Sequence, residues 1–214
     1  DGAGGRSRAE IRRCHRTGSV REPAVVKESV HHFSKQVSGA PVKRPAWFFD
    51  VAQQGEGLVD ITTHLVDLVQ WECFPEAILD YADIEILAAK RWPTILSRAE
   101  FERVTQLADF PGFLRQYVRP DGMLHVYANG EILYRLRGVC AKVSVRWDFE
   151  APAGAGDTHF SVMRGSRADL VIRQGAAQGF QPTLYIEPRM AEASANFARV
   201  LEAAQSLGFG PWSG

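Results

Sequence analysis

Between residues 123 and 186, short segments rich in β-branched and aromatic residues follow one another through short turns. Strands joined this closely must pair antiparallel, because a parallel crossover needs a dozen or more residues. Residues 142–149 show the pattern best, with Val143, Val145, Trp147 and Phe149 on one face and polar residues on the other. A sheet with one apolar face needs a cover. We therefore predict an α+β fold with an open, mainly antiparallel β-sheet and helices packed on one face.

The individual elements follow from periodicity and turn chemistry. Strands are predicted at residues 24–33, 83–89, 123–127, 131–137, 142–149, 158–164, 168–173 and 183–186. The pair Asn129-Gly130, a strong hairpin signal, is predicted to turn the chain between the third and fourth of these. Helices are predicted at residues 57–71, after Ser97 with Glu100 completing a capping box, and at residues 191–207.

The charge balance argues against two classes of partner. The chain of 214 residues carries 25 basic and 25 acidic side chains, so it has no electrostatic preference for nucleic acid or an anionic membrane. No apolar run approaches the roughly 20 residues that a membrane span requires. Three scattered cysteines fit a reducing compartment and predict a cytoplasmic protein. Export stays open, because the sequence starts at Asp1 rather than at a methionine.

Residues 1–21 differ in composition from the rest of the chain. They hold six arginines and almost no apolar periodicity, which predicts a disordered or anomalous basic segment. One domain is expected over residues 22–214. No G-x-G-x-x-G follows a strand and no P-loop is found, so this chain offers no nucleotide cradle of its own. No serine lies in a G-x-S-x-G context, and a hydrolase triad has no support in the sequence.

One group of titratable residues stands out on the predicted helix 57–71. Asp60, His64 and Asp67 are spaced i, i+4 and i+7, so they form one polar stripe. A carboxylate one turn from an imidazole can fix its tautomer for proton transfer. The same spacing also suits a divalent metal, or a solvated helix face with no chemistry. The apolar stripe beside it contains Leu58, Ile61, Leu65 and Leu68.

Other candidates lie on strands and loops. His31 and His32 are neighbours on the first strand and should point to opposite faces, so at most one can join a given site. His159, on a later strand, is expected to be packed or solvated. Arg44 and Trp47 flank Pro45 and could place a cation and an aromatic ring at a cleft rim, or a tryptophan in the core.

Residues 41–71, P-V-K-R-P-A-W-F-F-D-V-A-Q-Q-G-E-G-L-V-D-I-T-T-H-L-V-D-L-V-Q-W, are similar to a known family. They resemble the carboxy-terminal domain of the Gfo/Idh/MocA sugar oxidoreductases, and within it the subgroup called putative oxidoreductase C-terminal domain. The likeness runs from about residue 22 to residue 188. It includes V-V-K-E-S-V-H-H-F, A-K-R-W-P-T, G-D-T-H-F-S-V-M-R-G and T-L-Y-I-E-P.

The resemblance implies half of a two-domain enzyme. The family's glycine-rich stretch and Asp-x-x-x-His-x-x-Asp motif match Gly55, Gly57, Asp60, His64 and Asp67, with Glu56 replacing the middle glycine. His64 would be the acid/base on the substrate hydroxyl, with Asp60 orienting substrate or imidazole. Asp67 would have a supporting or substrate-binding role. His31, His32, Arg44 and Trp47 are further candidate substrate-binding residues.

The resemblance also implies partners. NAD or NADP would be bound by a Rossmann domain that this chain lacks, together with that domain's Glu-Lys-Pro lysine, and not strongly by this chain alone. Lys27, in Val-Lys-Glu, does not match that motif and is assigned no role. The expected partners are a sugar-like small molecule, the Rossmann domain and a second copy of the chain. Two alternatives remain: a stand-alone carbohydrate-binding or assembly domain, and a metal-dependent lyase or hydrolase using Asp60, His64 and one strand histidine.

Overall fold

Seven strands form one sheet in the computed structural model, which describes residues 17–37 and 39–189. The strands are β1 (Val25–Ser34), β4 (Ile84–Leu96), β5 (Leu124–Leu136), β6 (Val139–Glu150), β7 (Thr158–Arg164), β8 (Ala168–Gln174) and β9 (Thr183–Pro188). Their order is β4-β5-β6-β1-β7-β8-β9, and only the β1–β6 pair is parallel. The short β2 (Gln36–Val37) and β3 (Ala40–Pro41) pair separately. The predicted α+β class and mainly antiparallel sheet are confirmed.

Three α-helices accompany the sheet within the described residues: α1 (Val51–Gln54), α2 (Leu58–Cys73) and α3 (Arg98–Thr105). Short 3₁₀ turns span Ala46–Phe49, Tyr81–Asp83, Gly112–Tyr117 and Ala176–Gln178. The predicted capping box opens α3, since Ser97 Oγ accepts from the Glu100 amide and Glu100 Oε2 accepts from the Ser97 amide. None of the helices described is long and apolar enough to cross a membrane.

The ends of the chain are only partly covered by the description. The helix predicted at residues 191–207 lies outside the described residues, as does most of the basic segment 1–21. The last residues of that segment lie along the sheet, because the Cys140 amide donates to the Thr17 carbonyl at 2.7 Å. Gly18 and Pro23 form an isolated bridge just before β1.

Helix α2 covers the central strands β5 and β6. Its buried side chains are Leu65, Val69 and Cys73, spaced four residues apart along one ridge. The predicted apolar stripe is therefore partly wrong, since Leu68 is 38 % exposed. The helix is rotated so that the ridge containing Leu68 faces away from the apolar core.

The predicted hairpin at Asn129-Gly130 is wrong. Strand β5 runs straight through both residues, and the chain turns instead at Arg137 and Gly138, whose φ angles are 47° and 84°. Both turn residues have positive φ, as hairpin turns of this kind require. Gly130 is needed for a different reason, because a Cβ there would lie 2.5 Å from Leu58 Cδ1 of α2.

The Asn129 side chain holds three segments of the sheet together. Its amide nitrogen donates to the Trp92 carbonyl at 3.0 Å and to Thr94 Oγ1 at 2.9 Å. Its amide oxygen accepts from the Trp147 backbone amide at 2.7 Å. These bonds lie beside an irregularity in the β4–β5 register, between Trp92 and Thr94. Asn129 therefore replaces ladder hydrogen bonds that the irregular pairing leaves unmade.

We expect Asn129→Ala to lower the free energy of unfolding by about 2 kcal/mol, because it leaves buried backbone groups without partners. Denaturant unfolding followed by circular dichroism measures the change. Gln116→Ala, an exposed amide on a 3₁₀ turn, is the control and should change stability by less than about 0.5 kcal/mol. Equal stabilities for both variants would contradict the role given to Asn129.

Candidate functional site

A group of polar residues interrupts the apolar face of the sheet that the helices cover. Lys27, Ser29 and His31 alternate along β1 and lie beside Val143, Val145 and Trp147 of β6 in register, so all share that face. His159 of β7 pairs with Ser29, and Asp157 lies just before β7 begins. These residues form what we call the sheet-side cluster: Lys27, Ser29, His31, Asp157 and His159.

Lys27 is the most deeply buried member, with only 1 % of its surface exposed. Its Nζ donates to Glu72 Oε1 of α2 at 2.8 Å and to Ser161 Oγ of β7 at 3.0 Å. An unpaired ammonium in this position would be very costly, so the pair with Glu72 is essential to the fold. The sequence analysis gave Lys27 no role. The available signal was a lysine on the predicted buried face of a valine-rich strand.

The Asp157 carboxylate contacts three side chains that are cationic or can become so. Its Oδ2 contacts His31 Nδ1 at 3.0 Å and also accepts from Lys35 Nζ, while its Oδ1 contacts His32 Nδ1 at 3.2 Å. The expectation that at most one of the two neighbouring histidines can join a given site is therefore wrong. Asp157 lies where β1 continues past the end of β7, so its carboxylate reaches side chains from both faces of the strand.

The charge state of Asp157 follows from these contacts. Burial alone would raise the pKa of its carboxyl group, but hydrogen bonds from His31, Lys35 and His32 outweigh burial and hold the pKa well below its usual range. An ionised carboxylate only accepts hydrogen bonds, so the Nδ1 atoms of both histidines must carry the protons. In neutral His31, Nε2 is then an acceptor, and it lies 3.0 Å from Ser29 Oγ.

His159 is held in its neutral form. Burial, reinforced by the neighbouring Lys27 and His31, lowers the pKa of its imidazole to about 4. At neutral pH this ring therefore offers one hydrogen-bond donor and one acceptor and carries no charge.

One ridge of α2 contacts the sheet-side cluster through the ion pair between Glu72 and Lys27. We call this the helix ridge, and its members, spaced four residues apart, are Asp60, His64, Leu68 and Glu72. One end is fixed by the Glu72–Lys27 ion pair. At the other end, burial lowers the pKa of Arg44 and the negative charges of Asp157 and Asp60 oppose that shift, so Asp60 lies within electrostatic reach of Arg44.

His64 lies one turn after Asp60 and two turns before Glu72 on α2. The imidazole is exposed and forms no hydrogen bond or ion pair with any described residue.

Arg44 closes the β1 end of the site. Its Nε donates to the Phe33 carbonyl at 3.2 Å and its Nη2 to the His32 carbonyl at 3.1 Å. The guanidinium also lies over the rings of Phe48 and Trp147, at 4.7 and 5.0 Å from their centroids. These contacts fix the guanidinium in one orientation.

Two further candidates lie at the surface. Trp47 is 49 % exposed, and Phe49, two residues later, enters the core in its place. The interpretation of Trp47 as a core residue is therefore wrong, and its ring is exposed at the surface. Asp67 is exposed on α2, one turn beyond His64.

The glycine-rich turn before α2 brings the helix close to the sheet. Gly55 has φ +80°, a conformation that favours glycine, and a Cβ on Gly57 would lie 3.1 Å from the Cβ of Ala128 on β5. Glu56, which replaces the family's middle glycine, forms an ion pair with Arg91 of β4. The turn therefore retains a close backbone approach despite the substitution.

A cavity of about 170 Å³ lies beside this turn. Phe48, Glu56, Tyr117 and His125 are among its lining residues, and no member of the sheet-side cluster is. Its volume is below the roughly 300 Å³ of typical small-molecule pockets, so the cavity is small for a ligand site.

The described residues do not support a metal site. No group of three or more His, Cys, Asp or Glu side chains within residues 17–37 and 39–189 is arranged to hold a metal ion. Asp60, His64 and a strand histidine therefore do not form the donor set that the metal-dependent alternative needs, and that alternative is not favoured.

Comparison with known proteins agrees with the fold. The model of the family called putative oxidoreductase C-terminal domain matches residues 7–207. A crystal structure of a putative oxidoreductase from Parabacteroides merdae is 52 % identical with a TM-score of 0.83, and the match covers 94 % of this chain and 46 % of that one. Gal80p from Saccharomyces cerevisiae, as a super-repressor mutant, is 10 % identical with a TM-score of 0.42, covering 96 % of this chain and 48 % of that one. No curated protein matches.

These findings define the class of protein. The chain belongs to the putative oxidoreductase C-terminal domain family, of the Gfo/Idh/MocA type. It spans about half the length of the Parabacteroides relative. The family match begins at residue 7, within the basic segment that the sequence analysis separated from the domain.

We expect Glu72→Leu to lower the free energy of unfolding by about 3 kcal/mol, because it leaves the Lys27 ammonium buried without a counter-charge. The double variant Lys27→Met/Glu72→Leu should recover most of that loss, since both charges are then removed together. A double-mutant cycle by denaturant unfolding measures the coupling. Additive losses would show that the two charges do not depend on each other.

His159 should make stability depend on pH. A histidine in the unfolded chain titrates near roughly 6.5, whereas His159 in the fold titrates at about 4. As the pH falls from 6.5 to 4, the unfolded chain binds a proton that the folded chain does not, so the free energy of unfolding decreases. His159→Gln should lose most of this decrease, whereas the control His125→Gln should retain it. Chemical unfolding at a series of pH values measures both variants.

Proposed function

We propose that this chain is the substrate-binding half of a nicotinamide-dependent oxidoreductase that acts on a sugar or polyol. The observation that carries the proposal is the sheet-side cluster, which the helix ridge reaches through the Glu72–Lys27 ion pair. It places polar, hydrogen-bonding side chains on a sheet face whose other central positions are apolar. Clusters of titratable groups with shifted pKa values, here Asp157 and His159, are candidate ligand sites.

In this proposal His64 and Asp60 act on the reacting hydroxyl. His64 accepts the hydroxyl proton as the carbon loses its hydride, and releases it when the reaction runs in reverse. Asp60 orients the substrate or the imidazole from the preceding helical turn. The exposure of His64 supports this role, because its ring is free to meet a ligand.

The remaining candidates surround that hydroxyl. His31 and His32 are oriented by Asp157, and Arg44 is fixed at the end of β1. Trp47 would cover an apolar face of the sugar ring from the rim. Asp67 would support His64 from the next turn of α2. These positions together would hold a polar ring between helix and sheet.

In this proposal the hydride acceptor is held elsewhere, since no G-x-G-x-x-G dinucleotide fingerprint occurs in the sequence. When bound by a preceding Rossmann domain, the nicotinamide would accept the hydride. We propose that domain and a second copy of the chain as partners, and a cytoplasmic location.

The proposal can be tested by joining this chain to the amino-terminal half of the Parabacteroides relative, which is 52 % identical over the shared part. Reduction of NAD or NADP is followed by absorbance with a panel of sugars and polyols. We expect His64→Gln to lower kcat by about 10²- to 10⁴-fold, with nicotinamide affinity unchanged.

The control is Thr63→Ala, which alters the neighbouring exposed residue of α2. It should leave kcat within about twofold of the parent protein. Equal losses of turnover and nicotinamide binding in His64→Gln would show that the residue supports the structure rather than the chemistry.

A further inference from the structure

Three side chains of the site form a continuous hydrogen-bonded chain. Ser29 Oγ lies 3.0 Å from His31 Nε2, and His31 Nδ1 lies 3.0 Å from Asp157 Oδ2. The connectivity is that of a serine–histidine–aspartate triad. Nothing in the helix motif or in the family comparison assigns a role to Ser29 or Asp157.

The direction of the hydrogen bonds follows from the carboxylate. Asp157 is ionised and can only accept, so His31 carries a proton on Nδ1, and when that is its only proton Nε2 is an acceptor. Ser29 must then donate its single hydroxyl proton to His31. The lone pairs left on Ser29 Oγ can only accept a hydrogen bond from a further group. Polarisation along the chain of hydrogen bonds makes Oγ a stronger acceptor than an isolated serine.

The backbone argues against a nucleophilic serine. Ser29 lies in the middle of β1 between β6 and β7, pairing with Val145 on one side and His159 on the other. The backbone amides around it are engaged in these ladders. They are therefore not free to stabilise the oxyanion that acyl transfer requires.

The charges around Ser29 are already matched. Lys27 is paired with Glu72, and Lys35 is paired with Asp157. His159, the cross-strand neighbour of Ser29, has its pKa lowered and is neutral. Arg44 forms no ion pair within the described residues, but its guanidinium is bound to the His32 and Phe33 carbonyls at the far end of β1. Lys27, the cation nearest to Ser29 along β1, is therefore compensated.

We propose that His31 carries only its Nδ1 proton and that Ser29, positioned by His31 and Asp157, is a specificity-determining residue that accepts a hydrogen bond from a second hydroxyl of an uncharged polyol. The subsite requires a ligand O–H or N–H donor and disfavours a carboxylate or phosphate oxygen, which would meet the serine lone pairs. The inference rests on the proposed function for the identity of the site, but it concerns binding and not hydride transfer.

The first test is the hydrogen-bond direction in the full 214-residue chain. Nitrogen-15 NMR of labelled histidines distinguishes a protonated Nδ1 from a protonated Nε2. We expect His31 to carry its proton on Nδ1, with Nε2 hydrogen-bonded as an acceptor. A His31 protonated on Nε2, either as the neutral Nε2 tautomer or as the doubly protonated cation, would overturn the proposal, because Ser29 would then be free to donate to the ligand.

The second test is binding of neutral and anionic probes, followed by chemical-shift titration. The probes are D-glucose, D-galactose and myo-inositol, with D-galacturonate as the anionic counterpart of galactose. We expect at least one neutral probe to bind, galacturonate to bind more weakly than galactose, and Ser29→Ala to weaken neutral binding about tenfold. Failure of every neutral probe to bind, or tighter binding of galacturonate, would overturn the proposal.

Two further variants keep the result interpretable. Ser29→Thr retains a hydroxyl and should retain most of the binding, while Ser144→Ala removes a serine on the opposite face of β6 and should bind as the wild type does. Unchanged binding by a folded Ser29→Ala would contradict the proposal, with folding checked by circular dichroism. Covalent labelling of Ser29 by a fluorophosphonate would also contradict it, by showing a nucleophile.

These outcomes are separate from those of the proposed function. Binding of the probes requires neither the nicotinamide nor the Rossmann domain. An inactive joined protein whose carboxy-terminal half still binds polyols through Ser29 would contradict the proposed function alone. An active joined protein whose KM does not change in Ser29→Ala would contradict the subsite alone.

Discussion

The buried ion pair between Lys27 and Glu72 is the interaction on which the rest of the site depends. It fixes the carboxyl end of α2 against the beginning of β1, where the lysine is almost entirely removed from water. The same ammonium helps to keep His159 neutral. A buried pair of this kind is weak evidence for stability and better evidence for a specified geometry.

A second constraint operates at the other end of the strand. Asp157 precedes β7 and lies where β1 extends beyond its neighbour, so one carboxylate orients His31 and His32 from opposite faces. Arg44 adds a third contact by binding two carbonyls of the same strand. The polar part of the sheet is therefore fixed at both ends by charged groups, while α2 provides the cover.

Much of the architecture could be predicted from sequence. The strands after residue 139, the long helix and the capping box at Ser97 all follow from local periodicity and local side-chain chemistry, and each is confirmed. The Asn129-Gly130 turn was wrong because both residues serve tertiary contacts. Asn129 bonds three segments of the sheet, and Gly130 makes room for Leu58. A turn signal and a packing requirement select the same residue types, so the sequence pattern does not distinguish them.

The sequence by itself determined the fold class, the family resemblance and the motif residues Asp60 and His64, because each depends on residues close together in the chain. The tertiary structure decided which side chains meet on the sheet. His31 and Asp157 are separated by 126 residues, and Lys27 and Glu72 by 45. Only strand pairing and helix packing bring such residues within hydrogen-bonding distance, because their spacing in the chain has no periodic signature.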